Sequence, residues 1–177
     1  MLNYRQLDLS EAERISEIDA TNFIKNVWRK NTDGEYELQE INWTDHELPN
    51  GFEWHLNRFR EALSNGGASF GCFDGDTLVG YAVTGGKVFG QSERYLLLDQ
   101  LFISQKYRGQ GIGKALFMMC ADRARCLSAE KLYLCAGSSE NTMAFYKKLG
   151  CVPAAEVNEE LLADDPNDIQ PEYRLGD

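Results

Sequence analysis

Residues 95–116 read YLLLDQLFISQKYRGQGIGKAL. The first ten, Tyr95–Ser104, are the most apolar run of the chain and predict a central strand. Arg108-Gly109-Gln110-Gly111-Ile112-Gly113 follows at once. Ile112, Leu116, Met119, Arg123 and Leu127 then recur at helical spacing over about four turns. A strand, a glycine-rich turn and a helix in this order place free amides and the positive end of the helix dipole where an anion binds. Glycines permit close backbone approach, and Arg108 and Lys114 add positive charge. Two common phosphate motifs fail on the residues themselves. A P-loop would require a glycine at Arg108 and a hydroxyl residue at Ala115, and a dinucleotide fingerprint would require a glycine at Lys114. A tight turn without a ligand is the other reading of the same residues.

Working outward, Lys131–Ala136 is a short strand, and Ser138 or Ser139 caps a helix ending at Leu149–Gly150. Val152–Val157 and Glu172–Leu175 are closing strands separated by an acidic loop, Asn158–Asp168, with Pro171 at the start of the last strand or marking an edge. Before the central strand, Ala68–Phe73 and Thr77–Thr84 flank Asp74-Gly75-Asp76, a hairpin signal. Phe52, Leu56, Phe59 and Leu63 form a helical stripe ending at Ser64–Gly67. Asn31–Gly51 is polar and aromatic and reads as a long loop. Asn3–Leu7 is a first strand. Ser10 and Glu13 suggest a capping box, and Phe23, Ile24, Val27 and Trp28 a break or second helix. The order predicts a single α/β domain spanning residues 1–177, with a mixed, mostly antiparallel sheet and helices on its faces.

Composition narrows the function. The chain has 177 residues, with 18 Lys and Arg against 28 Asp and Glu, a net charge of −10. That balance disfavours nucleic acid, which requires basic surface, and favours cationic small molecules. No apolar run approaches a membrane span and the start lacks a secretory layout, so a soluble, cytoplasmic protein is expected. Five cysteines, an odd number without a CxxC pair, and two histidines provide no zinc spacing, so no metal is expected. Free buried thiols are the reading for Cys72, Cys120, Cys126, Cys135 and Cys151.

The segment 101–116 resembles the acyl-CoA motif of the GNAT superfamily of N-acetyltransferases, whose core falls at Gln105 or Arg108 through Gly113. Residues 141–151, NTMAFYKKLGC, resemble that family's N-x-x-A-x-x-F-Y-x-K-x-G-F block, one residue shorter and with Cys151 for the final Phe. The clear similarity covers about residues 68–153. The resemblance implies a sheet splayed in a V between its two central parallel strands. It implies acetyl-CoA as co-substrate, its pyrophosphate on the amides of Arg108, Gly109, Gln110, Gly111, Ile112 and Gly113 with Lys114 nearby. It implies a pantetheine arm along Leu101, Phe102 and Ile103, and direct attack by an amine on the thioester. Tyr146 then matches the family's proton donor to the departing thiolate, a phenol near 10 facing a thiol near 8.5. Asn141 matches a residue contacting pantetheine or a water. For the base, Asp99 in its apolar strand is the first candidate, with a raised pKa expected between apolar neighbours. Glu93 is the second, and water alone a third option. Tyr36, Trp43, Trp54 and the acidic residues of 33–47 either line an amine pocket or cap the core. The expected partner is a small, cationic primary amine, with a peptide or protein amine, or a non-catalytic acyl-CoA sensor, as alternatives. A homodimer fits the family.

Overall fold

A computed structural model describes residues 1–176. Nine strands and four α-helices follow one another as β1 Leu2–Leu7, β2 Asn22–Lys30, β3 Tyr36–Asp45, α1 Phe52–Ser64, β4 Ala68–Asp74, β5 Thr77–Thr84, β6 Tyr95–Ile103, α2 Ile112–Cys126, β7 Lys131–Leu134, α3 Glu140–Leu149, β8 Val152–Pro153, α4 Glu159–Asp164 and β9 Pro171–Arg174. Seven strands form one sheet in the order β1-β4-β5-β6-β7-β9-β8, and β2 and β3 form a separate hairpin. The sheet is antiparallel except for the β6–β7 pair. This is the mixed, mostly antiparallel α/β architecture expected.

The strands alternate their side chains between two cores. On one face α2 and α3 cover Leu96, Leu98, Leu116, Phe117 and Tyr146. On the other, α1 and a 3-10 helix at Leu9–Glu17 cover Leu7, Ile15, Phe59, Tyr81 and Val83. The Asp74-Gly75-Asp76 hairpin forms as read, with Gly75 at φ +59° in its turn.

Several local expectations change. The capping box is Asp8 with Glu11, not Ser10 with Glu13; Ser10 donates to Asp8 instead. The residues read as a second helix form β2, and the segment 31–51 read as a loop holds β3. β2 pairs with β3 along nearly its whole length, broken by one bulge between Ile24 and Asn26. Ser139, rather than Ser138, caps α3, accepting from the Thr142 amide at 3.2 Å. Strand β8 is only two residues long, and the acidic segment after it contains α4, capped by Asn158. Pro171 begins β9, which lies between β7 and β8.

Candidate active site

Strand β6 pairs with β7 only over Tyr95–Leu98 and Lys131–Leu134. Beyond Leu98 it continues against β5 alone, so the two central strands part in a V. The parting coincides with an irregularity. Val83 faces Gln100 and Thr84 faces Leu98, which leaves Asp99 as the extra residue of a bulge. The Ser104 amide donates to Val79 and the Gly85 amide to the Leu97 carbonyl. The alternation of an antiparallel ladder then turns Leu101 and Ile103 away from β5 and toward the open side. Phe102 is turned the other way. Its ring packs against His55 at 4.9 Å and Tyr81 at 5.8 Å, on the α1 face. The gap is therefore lined by the Leu101 and Ile103 backbone, and the third residue of that expected set is not brought to it.

The glycine turn closes one end. Gly109 and Gly111 have φ of +77° and +86°, and a Cβ at either would meet open space. They are glycine for the left-handed backbone, not for crowding. Gly113 is the opposite case, since a Cβ there would lie 3.2 Å from the Phe145 ring of α3. The amides of Gly109, Gln110, Gly111, Ile112, Gly113 and Lys114 have no partner among the described residues. Together with the start of the 15-residue α2, they present an open anion-binding surface. The Arg108 side chain is committed elsewhere. It donates to the Ile103 carbonyl at 3.0 Å, to the Asn22 side chain at 3.0 Å and to the Ala20 carbonyl at 3.3 Å. It thus fixes the start of β2 beside the turn. At its other end β2 is joined to the segment before α3. The Trp28 amide donates to Ser138 at 2.8 Å, and Asn26 donates to Glu140 at 2.8 Å.

Tyr146, from α3, belongs to the core that also holds Leu98, Leu134 and Ala136. It is 8% exposed, with its ring against Phe145 and Phe117. Its hydroxyl has no hydrogen-bond partner among the described residues, nor is it sealed from solvent. Burial pushes the phenol well above its ordinary range, and the nearby Cys151, Cys120 and Asp168 add to the effect. Burial thus makes the phenol a weaker acid than a free tyrosine and moves it away from the thiol match expected. Asn141 is exposed in the first turn of α3.

Asp99 is not in the apolar surroundings its strand suggests. The Arg58 guanidinium grips it, with Nε 3.1 and 3.3 Å from the two carboxylate oxygens and Nη2 closer still. Arg58 also reaches Asp164 of α4 at 2.9 Å and lies over the Trp54 ring at 4.6 Å. Burial opposes the Arg58 charge, but the hydrogen bonds and charges of Asp99 and Asp164 outweigh it and raise the pKa. Beneath this pair, Gln100 accepts from Tyr81 at 2.8 Å and donates to the His55 carbonyl at 3.1 Å. Burial lowers the pKa of His55, whose Nε2 meets the Pro49 carbonyl at 2.7 Å. This network seats α1 on the bulge. Glu93 pairs with Lys131 at 2.9 Å. Tyr36 and Trp43 are exposed on the β2–β3 hairpin.

Sequence reading passed over Asp168. Past the end of β7, Ala136 exchanges two 2.9 Å backbone bonds with Ile169, an antiparallel bridge that sets Gln170 opposite Cys135 and Asp168 opposite Gly137. Burial, and then the charge of Asp165, raises the Asp168 pKa to about 6. Cys135 and Cys151 are pushed up to about 12 by burial, so both stay as thiols. A concavity of about 840 Å³ opens elsewhere, between Phe89–Ser92 and Glu156–Glu160. Its Glu156 is held at about 2 by the Ser92 hydroxyl and the amides of Gln91, Ser92 and Glu93, which occupy its lone pairs. Among the described residues no three His, Cys, Asp or Glu side chains group to hold a metal, and no helix is long and apolar enough to cross a membrane.

A splayed parallel pair with an amide-rich glycine turn at one end is the arrangement of an acyl-CoA-dependent N-acetyltransferase. The family model described as Acetyltransferase (GNAT) family matches residues 33–151, and the chain belongs to that family. The match begins well before the motifs visible in the sequence and takes in β3 and α1. The fold is similar to the crystal structure of nourseothricin acetyltransferase, at 18% identity over 99% of both chains with a TM-score of 0.74. It is also similar to a structure described as a streptothricin acetyltransferase from Bacillus anthracis in complex with acetyl coenzyme A, at 16% identity over 100% and 99% with a TM-score of 0.70. A third is PaiA N-acetyltransferase from Thermoplasma acidophilum in complex with coenzyme A, at 18% identity over 98% and 99% with a TM-score of 0.62. No curated protein matches the chain by sequence.

Proposed function

We propose that the protein transfers an acetyl group from acetyl-CoA to a primary amine of a small cationic molecule, by direct attack within a ternary complex. The free amides of residues 109–113, with Lys114, hold the pyrophosphate, while the Arg108 amide is engaged by the Gln105 carbonyl at 3.2 Å. The Leu101 and Ile103 backbone receives the pantetheine arm as an added strand, which places the thioester at the fork. The Leu101 amide faces the position of the acyl carbonyl, and Asn141 stands at the mouth. Tyr146 returns a proton to the departing sulfur.

The observation that carries this reading is the parting of β6 from β7 beyond Leu98, with the free amides of residues 109–114 at one end of the gap. A cationic acceptor is supported by the net charge of −10, which attracts cations at long range. The names of two structural relatives put nourseothricin and streptothricin first among compounds to try.

The test follows thiol release from acetyl-CoA with those two compounds, a polyamine, an aminoglycoside and a peptide with a free N-terminus. Turnover with one or more of the small cations is expected. Turnover with the peptide alone reassigns the acceptor to a polypeptide amine, and acetyl-CoA binding without turnover on any amine leaves a sensor.

A further inference from the structure

We infer that two copies of this chain associate through β3, whose free edge pairs antiparallel with β3 of a second copy about a two-fold axis at Leu38. The inference goes beyond the acetyl-transfer reading and does not depend on it.

Three observations carry it. The first is the edge itself. β3 is the outer strand of the two-stranded sheet. The other edge of β2 is joined to the body, where Val27 bridges Ser139 and the Trp28 amide donates to the Ser138 carbonyl at 2.8 Å. β3 pairs with no second strand among the described residues, and Tyr36 to Trp43 are all exposed. A row of unpaired amides and carbonyls on a strand edge is a template for another strand. A two-stranded hairpin is also marginal in water, and joining two of them into four strands removes that weakness.

The second observation is apolar surface. Trp43 is 60% exposed, Tyr36 48%, Leu38 43% and Ile41 38%. Together they leave roughly 400 Å² of these residues in water, a patch of the size that is often functional. Pairing two such edges, with this patch covered on both copies, buries about 1,000 Å², where specific interfaces begin.

The third is the fit of the strand to its own copy. β3 pairs regularly with β2 from Tyr36 to Glu40, opposite Lys30 to Asn26. The register then breaks at a bulge that includes Asn42, at φ +46°. The bulge blunts the far half of the edge and leaves a regular stretch of five residues centred on Leu38. A two-fold pairing there sets Leu38 against Leu38, Tyr36 against Glu40 and Glu37 against Gln39. Each acid then meets a donor, the Tyr36 hydroxyl for Glu40 and the Gln39 amide for Glu37. An axis at Glu37 or at Glu40 sets that acid against its own copy, which is unfavourable. An axis at Gln39 opposes Leu38 to Glu40 and draws the bulge into the pairing.

The experiment is sedimentation velocity on the full chain from about 1 to 500 μM, a range that brackets weak interfaces of this size. Wild type should form a dimer with a micromolar Kd. Each copy carries −10, so association should tighten between about 0.05 and 0.5 M salt as repulsion is screened. Leu38→Glu and Gln39→Glu each place carboxylates face to face and should weaken the dimer about tenfold or more. Glu37→Gln combined with Gln39→Glu restores the facing pairs and should restore the wild-type Kd. Hydrogen exchange supplies a second measurement: the amides of Tyr36–Glu40 that do not bond β2 should slow as wild-type concentration rises. A wild type that stays monomeric, a dimer that neither single variant weakens, or exchange that ignores concentration overturns the proposal. A double variant no tighter than Gln39→Glu overturns the pairing about Leu38. Association that salt weakens overturns pairing between like-charged copies.

Discussion

In the proposed mechanism Tyr146 gives its proton to the departing sulfur, and burial, by disfavouring the phenolate, makes that transfer harder than for a free tyrosine. Tyr146→Phe keeps the ring packing on Phe117 and Phe145 and removes only the hydroxyl. We expect kcat to fall about 100-fold with acetyl-CoA affinity unchanged, measured by steady-state kinetics and a binding titration. Asp168 carries the opposite signature in stability. Its folded pKa of about 6 exceeds its ordinary value of 3.8, so the folded state binds this proton more tightly than the unfolded one. Stability is thus highest below pH 4 for this group and declines as pH rises through 6. Asp168→Asn should therefore raise Tm at pH 7.5 and leave it unchanged at pH 3.5, as followed by calorimetry.

Helix α1 is seated by Arg58, which joins it to the β6 bulge and to α4. Arg58→Ala would leave Asp99, with a side chain 7% exposed, without its cation. We expect a loss of about 3 kcal/mol in urea unfolding, and little recovery with Lys, whose ammonium cannot span two carboxylates in a planar fork. These links explain what the sequence made legible. The glycine turn was readable because its requirement is local: two left-handed backbone positions and one close helix contact. The β4–β5 hairpin was readable for the same reason. β2 was not, since Phe23, Ile24, Val27 and Trp28 satisfy a helical period, and only pairing with β3 decides otherwise. Much of β3 is exposed on both faces, so that strand shows no alternation to mark it. Asp99 misled because its cation arrives from 41 residues away, and Asp168 was hidden in an acidic stretch whose partial burial depends on the Ala136–Ile169 pairing.

The whole chain carries a net charge of −10. The cationic acceptor proposed above would be drawn by this field, which salt screens, so its KM should rise several-fold between about 0.05 and 0.5 M ionic strength. Acetyl-CoA binding is read by stability: a concentration of a hundred times Kd adds about 2.7 kcal/mol, a rise of about 5–10 °C in Tm for a chain of this length. Both rims of the gap share one strand. β2 is tied to the glycine turn through Asn22 and to the threshold of α3 through Trp28. It acts as a belt, and the mouth it spans cannot spread without first slipping that buckle. Deuterium uptake at the Trp28 amide would then count each loosening, making one backbone proton the clock for admission of the acceptor.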